Sequence, residues 1–388
     1  MDLRHVRLYQ QVKQNLAPRV PASGARALLR DHLGLHSTDY LTPYLSLRAR
    51  VKDFEPAAFF DDLNRLHSAV RLRAFRGTVF IVHRRNIPLI LGGLRSFHAS
   101  VMAQIEKLSR KQGFDLKRAE RIILLHLAGR NRMTAGELNK AVIQSLGLEA
   151  RPGLLPFFLR YLEFKGLVVR TGQKHINDHV IPYGLLKDWL PEAARRPLET
   201  GEALHQLARS YIRKFGPVCL ADLCWWLPVS RTEGRRVVEG LKAELEFCLF
   251  HGREYMMDRS DLARFKRFAP AGGAPRVVFL PYEDHFPKAY AVRDWFLPAE
   301  AEPLLFQKGV TERGQIRPSI WLDGEAIGRW EMDCPARGGS PTKVKIVGLI
   351  RSSRFPRKTL AAIEDERRRL EQFLNRKLLP LAGAKEES

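Results

Sequence analysis

Ala69-Val70-Arg71-Leu72-Arg73-Ala74-Phe75-Arg76-Gly77-Thr78-Val79-Phe80-Ile81-Val82 decides how this chain folds. Apolar residues recur at Val70, Leu72 and Ala74, then at Val79 and Ile81, which is the period-two pattern of strands. Arg76-Gly77 breaks the pattern and reads as the turn between them. Two segments with helical character, Ala22–Leu33 and Pro56–Leu66, come before it. Helices followed by a short hairpin describe a winged helix, here over residues 22–83.

The same order recurs twice. Over residues 116–185, Arg118–Ala128 and Leu154–Lys165 read as helices. Between them Thr134 is an N-cap, and Glu137 three residues on completes a capping box. Gly166 then opens a wing, because glycine accepts the left-handed helix cap. Over residues 202–257, Leu204–Phe215 ends at Gly216-Pro217, Leu220–Trp226 is short and apolar, and Ser230 with Glu233 starts a third helix. Phe247–Phe250 and Glu254–Met257 read as its closing hairpin. After the Pro- and Gly-rich stretch at 269–275 come four strand-like runs, at 277–280, 319–322, 326–332 and 342–348, and an amphipathic helix at 358–377. The expected architecture is α+β: three tandem winged helix-turn-helix modules with a small β-rich C-terminal part. Its divisions are 1–100 with the first module and the candidate catalytic strand, 101–200, 201–268 and 269–388.

Charge narrows the function. The 388 residues carry 65 Lys and Arg against 42 Asp and Glu, a net charge of +23. Basic residues run from Arg4 to Lys385, so this is no basic tail. Such an excess points to a polyanion, and double-stranded DNA suits helix-turn-helix modules. Cys219, Cys224, Cys248 and Cys334 contain no C-x-x-C pair, so neither a zinc site nor a disulfide framework is expected. The start, Met-Asp-Leu-Arg-His-Val-Arg, lacks the apolar core of a signal peptide, and no apolar run reaches membrane-spanning length. A soluble, cytoplasmic, nucleoid-associated protein is expected, with no metal, cofactor, membrane or obligate protein partner implied.

Leu33 to Leu35 runs straight into His36, Ser37, Thr38 and Asp39. In extended backbone His36 and Thr38 share a face, so two hydrogen-bonding groups can grip one small object such as a water. Asp39 supplies a carboxylate beside them. Candidate DNA contacts are Arg48 and Arg50 downstream, Arg71, Arg73, Arg76 and Thr78 on the wing, and Arg293. A solvated hairpin edge is an equal reading of the wing arginines, which also blunt exposed strands. Glu283-Asp284 ends an apolar strand; it either organises a site, or Asp284 pairs with Arg293 and holds a turn.

The chain resembles the winged-helix DNA glycosylases of the AlkZ and YcaQ type. The resemblance is carried by order and spacing: Leu33-Gly34 leading into the 36–38 position, Leu45-Ser46-Leu47-Arg48-Ala49-Arg50, Arg76-Gly77-Thr78, Tyr211 with Gly216-Pro217, Asp222 and Trp225, Leu280-Pro281 before Glu283-Asp284 with Arg293, and Gly328-Arg329-Trp330. It implies hydrolysis of the N-glycosidic bond of a damaged, alkylated base. The family's Gln-x-Gln or Gln-x-Asp pair falls on His36 and Thr38, so neither glutamine is present. A neutral His can accept a proton from water, and Thr can orient that water but carries no charge. Three consequences stay open: altered lesion choice, altered mechanism or lost activity. The rival reading is a non-enzymatic winged-helix DNA-binding protein, a regulator or damage sensor.

Overall fold

Arg76 and Gly77 both adopt left-handed backbone, with φ of 56° and 71°, and fold the decisive stretch back on itself. The hairpin β2 (Ala69–Arg73) and β3 (Val79–His83) pairs Ala69 with His83 and Arg73 with Val79. The computed structural model describes residues 2–147, 154–176, 178, 180–192, 198–270, 272–306, 315–333 and 341–383. Among these, β1 (Leu35–His36) adds to the outer edge of β3, pairing His36 with Phe80. On the other side β2 meets β4 (Val168–Arg170) through Arg71 and Arg170, and β4 pairs β5 (Tyr183–Leu185). The result is one antiparallel sheet in the order β1-β3-β2-β4-β5. The hairpins of the first two expected modules are therefore fused.

Several helices stand where capping and periodicity place them. Thr134 and Glu137 form the full capping box of Ala135–Leu146. At Ser230 only half of one forms, with Ser230 accepting from the Glu233 N–H ahead of Arg231–Leu241. Thr200–Phe215 stops at Gly216, and the hairpin β6 (Leu245–Phe250) with β7 (Arg253–Asp258) follows the third helix set. The boundary expected at residue 100 falls inside a single helix, Arg95–Lys111. Core packing divides the chain differently. One apolar cluster joins the first segment, the third segment and the C-terminal part and takes in Val169, Ile176, Leu186 and Leu190 of the middle segment; a second, from Ile105 to Leu185, lies wholly within the middle segment.

The C-terminal sheet is antiparallel in the order β11-β10-β9-β8, built from Val277–Leu280 (β8), Ser319–Leu322 (β9), Glu325–Asp333 (β10) and Lys343–Leu349 (β11). Helix Arg357–Phe373 packs on it. Strand β8 delivers the chain into residues 281–293, which lie against the end of β1. Cys334 is outside the described residues; Cys219, Cys224 and Cys248 are free thiols. No described helix is long and apolar enough to cross a membrane.

Candidate active site

Gly34 explains how His36 gets its place. Its φ is +117°, and a Cβ there would lie 2.8 Å from the Ile81 carbonyl oxygen. Only glycine lets the chain approach β3 this closely. His36 then stands edge-on to Phe80, with ring centroids 5.4 Å apart. Regular pairing ends there. Asp39 Oδ1 accepts from the N–H groups of Leu41 and Thr42, both at 3.0 Å, and turns the chain into helix Thr42–Arg50.

A second segment comes from far away in sequence. Glu283 has φ of 55°; its N–H donates to the Ile316 carbonyl and its Oε1 accepts from the Ile316 N–H, each at 2.9 Å. Both ends of the residue are thereby fixed. The short helix His285–Lys288 brings Lys288 back to Glu283, where the two side chains form a buried ion pair. Lys288 Nζ lies 3.4 Å and Glu283 Oε2 3.6 Å from His36 Nε2. Thr38 Oγ1 is 3.1 Å from the same nitrogen. His36 is 1% exposed, whereas Thr38 is exposed. The imidazole thus sits just beneath the surface in a charged cluster, and Thr38 is its link to solvent.

Electrostatics assign the protons. Burial, with Lys288 beside it, pushes the His36 pKa well below the usual histidine range, so the ring is neutral. An ammonium has only donors. His36 Nε2 therefore bears the lone pair and Nδ1 the proton. Burial also lowers Lys288, opposed by the Glu283 carboxylate.

The motif residues scattered through the sequence converge on this one segment. Tyr211 donates to the Ala289 carbonyl at 2.8 Å, and Trp225 Nε1 to the Lys288 carbonyl at 3.0 Å. Asp222 Oδ1 accepts from the N–H groups of Ala291 and Val292 at 2.8 Å. Trp330 Nε1 donates to the Leu280 carbonyl at 2.8 Å. None of these four is a reacting group; together they clamp residues 280–292. Over the Trp225 ring lie two guanidinium groups, Arg76 at 3.3 Å and Arg293 at 5.3 Å from the centroid.

Several sequence expectations need correction. Arg48 and Arg50 are buried and pair with Glu366 and Asp284. Arg71 is 1% exposed, with Nε 3.3 Å from Ser37 Oγ. No duplex reaches these three without unpacking the core. Arg73 is held by Glu163 and the Gly77 carbonyl, and Thr78 donates to the Phe75 carbonyl, so both shape the turn. Arg76 and Arg293 remain near the site. Asp39 is occupied by the N–H groups of Leu41 and Thr42. Asp284 pairs with Arg50 through two bonds of 2.7 and 2.8 Å, not with Arg293. Lys288 carries no signal in the sequence beyond its five-residue offset from Glu283 around a one-turn helix, which has no meaning until the fold is known.

Beneath the cluster two histidines face each other. Asn15 Oδ1 accepts from Lys214 at 2.8 Å and lies 3.0 Å from His32 Nε2, so that nitrogen carries hydrogen. His32 Nδ1 then accepts from His285 Nε2 at 2.6 Å. Both rings are neutral: burial, with Lys214 near His32 and Arg50 near His285, lowers both, His285 to about 3. In an unfolded chain they bind protons near the ordinary histidine pKa of about 6.5. Stability is therefore fully present above that pH and falls as the pH drops below it. We expect each of His32, His36 and His285 to remove about 1.4 kcal/mol of unfolding free energy between about pH 7.5 and about pH 5.5. Urea unfolding at the two pH values checks this; equal free energies would mean that the rings are charged in the fold.

The family model described as DNA glycosylase AlkZ-like matches residues 29–373. The solved structure of Streptomyces sahachiroi DNA glycosylase AlkZ is similar with a TM-score of 0.76, over 96% of this chain and 97% of that one, at 17% identity. At that identity the likeness speaks for the fold. None of the curated proteins matches.

Proposed function

The chain belongs to the AlkZ-like DNA glycosylase family, and from that premise we propose that it hydrolyses the N-glycosidic bond of an alkylated base in duplex DNA through His36, Thr38 and Glu283. The observation that carries this reading is the convergence of Thr38, Glu283 and Lys288 on His36 Nε2 within 3.6 Å, where β1 ends at the surface. The bond from C1′ to the base breaks and its electron pair leaves with the base. An alkylated base is cationic, so it departs neutral and needs little protonation. Positive charge then develops on the sugar, and the Glu283 carboxylate stabilises it. A water on Thr38 Oγ1 attacks C1′. Its proton passes to the Thr38 hydroxyl oxygen as the hydroxyl proton moves to His36 Nε2. The imidazolium formed lies beside Glu283, which offsets the nearby Lys288 charge.

The products are a free modified base and an abasic site, without strand cleavage. A lyase step needs an amine to form a Schiff base. Lys288 Nζ is that amine by position, but it is buried and paired with Glu283. Borohydride should therefore trap no protein–DNA adduct. We expect His36→Ala to slow single-turnover base release by about ten- to a thousandfold, the range for one acid–base or polar group. Unchanged cleavage would move the catalytic centre elsewhere. Wild-type protein that binds DNA tightly yet releases no base from any alkylated duplex would establish the sensor or regulator reading instead.

DNA is held by charge. We assign a phosphate next to the lesion to Arg76 and Arg293, which stack over Trp225, and a DNA substrate suits cytoplasmic, nucleoid-associated action. Affinity should fall steeply with salt as counterions are released. Arg76→Ala should weaken binding about equally across sequences and reduce the salt slope by about one. A slope unchanged in the variant would place phosphate binding on other residues.

A further inference from the structure

Helices Ile87–Gly93, Arg95–Lys111 and Leu116–Arg130 meet the end of Leu154–Phe164 around a cavity of about 810 Å³ whose described lining includes none of His36, Thr38, Glu283 and Lys288. Leu91, Met102, Leu124 and Phe164 make its walls apolar. A volume of this order suits a small organic ligand.

One wall is polar. His98 is 1% exposed and leans on Phe164, with ring centroids 4.7 Å apart. Neither of its ring nitrogens has a hydrogen-bond partner among the described residues. Leaving a buried polar group unpaired costs about 1–3 kcal/mol, so such groups are nearly always satisfied. Burial pushes the His98 pKa down to about 4, which leaves one N–H donor and one acceptor nitrogen for an occupant. Arg95, Arg121 and Lys187 line the same cavity, and all three are exposed. None of them forms a salt bridge among the described residues, and no Asp or Glu is among the described lining residues. The cavity is thus apolar within, cationic around and equipped with one unmet hydrogen-bonding ring.

We propose that this cavity binds a small amphipathic organic anion, an aromatic carboxylate or sulfonate, with its apolar body among Leu91, Met102, Leu124 and Phe164, its acid group among the arginines, and a polar atom on His98. The site is separate from the glycosylase centre and does not depend on it.

Titration of the full chain with anilinonaphthalene sulfonate, whose fluorescence rises in apolar surroundings, tests this. Saturation at one probe per chain is expected. Arg121→Glu and His98→Phe should each raise Kd at least about tenfold, a loss of about 1.4 kcal/mol. Leu124→Trp, which fills the cavity, should abolish binding. Excess duplex DNA should leave the probe bound. Displacement by DNA would make the cavity part of the nucleic-acid surface and overturn the proposal. So would an affinity unchanged in the variants, or uptake of many probes without saturation. Should His98→Phe fold poorly, Arg121→Glu, at an exposed position, decides.

Discussion

Glu283→Gln lowers single-turnover base release by about a hundred- to a thousandfold, the loss typical of removing one preorganised charged group. The reason lies in how the carboxylate is held. The two hydrogen bonds with Ile316 and the Lys288 ion pair fix its position before substrate arrives. It therefore meets developing positive charge without reorganising. Glutamine keeps the shape and the Ile316 bond but removes the charge. Duplex affinity should change little, because phosphate contacts carry most of it. The variant also strands the Lys288 ammonium, and that could slow the reaction indirectly. The double variant Glu283→Gln, Lys288→Met separates the two effects. If the carboxylate acts on the sugar, the double variant regains thermal stability but stays slow. If it cleaves at the wild-type rate, Glu283 serves only to neutralise Lys288, and its assignment to the reaction is wrong.

Asp284→Ala costs about 3–5 kcal/mol of stability, the usual penalty for breaking a buried ion pair from one side. Arg50 and Asp284 are both 0% exposed. Burial alone would raise the Asp284 pKa, but Arg50 and the Phe286 N–H hold it well below the usual carboxylate range. Among the described residues, removing the carboxylate leaves Arg50 bonded only to the Ser46 carbonyl at 3.0 Å, and takes the acceptor from Ser46 Oγ as well. Asp333→Ala is the control. Its partner Lys345 and Asp333 itself are 62% and 51% exposed, and exposed pairs contribute little. Urea unfolding should show a large loss for the first and nearly none for the second. Similar losses in both would mean that burial of the Arg50–Asp284 pair has no special weight.

The two variants differ by one position in the chain, yet they probe unlike things. Glu283 faces the surface cluster through His36, and Asp284 faces the core through Arg50. Adjacent carboxylates at the end of β8 thus divide into one at the site and one that anchors helix Thr42–Arg50 to the 281–293 segment. Organising the site and anchoring the turn are thus roles of two different residues, Glu283 and Asp284.

The features legible in the sequence alone are local. Period-two alternation and the Arg76-Gly77 turn specify the β2–β3 hairpin, because side chains alternate across a strand whatever lies around it. Thr134 with Glu137 starts a helix by satisfying its first N–H groups from within four residues. The pairing of His36 with Thr38 is also local, a spacing of two residues that survives where the strand ends. Helix Thr42–Arg50 was missed because all nine of its residues are buried, so no amphipathic stripe marks it. Which charges meet water is set by the packing of distant segments. Arg48, Arg50 and Arg71 look like DNA contacts until Glu366, Asp284 and the core enclose them. Glu283 and Lys288 lie about 250 positions from His36, and no period or spacing relates them. Burial and ion pairing are set by what packs from elsewhere in the chain, so the hairpins and caps are read directly, while the charged centre exists only once the segment after β8 lies against His36 at the end of β1.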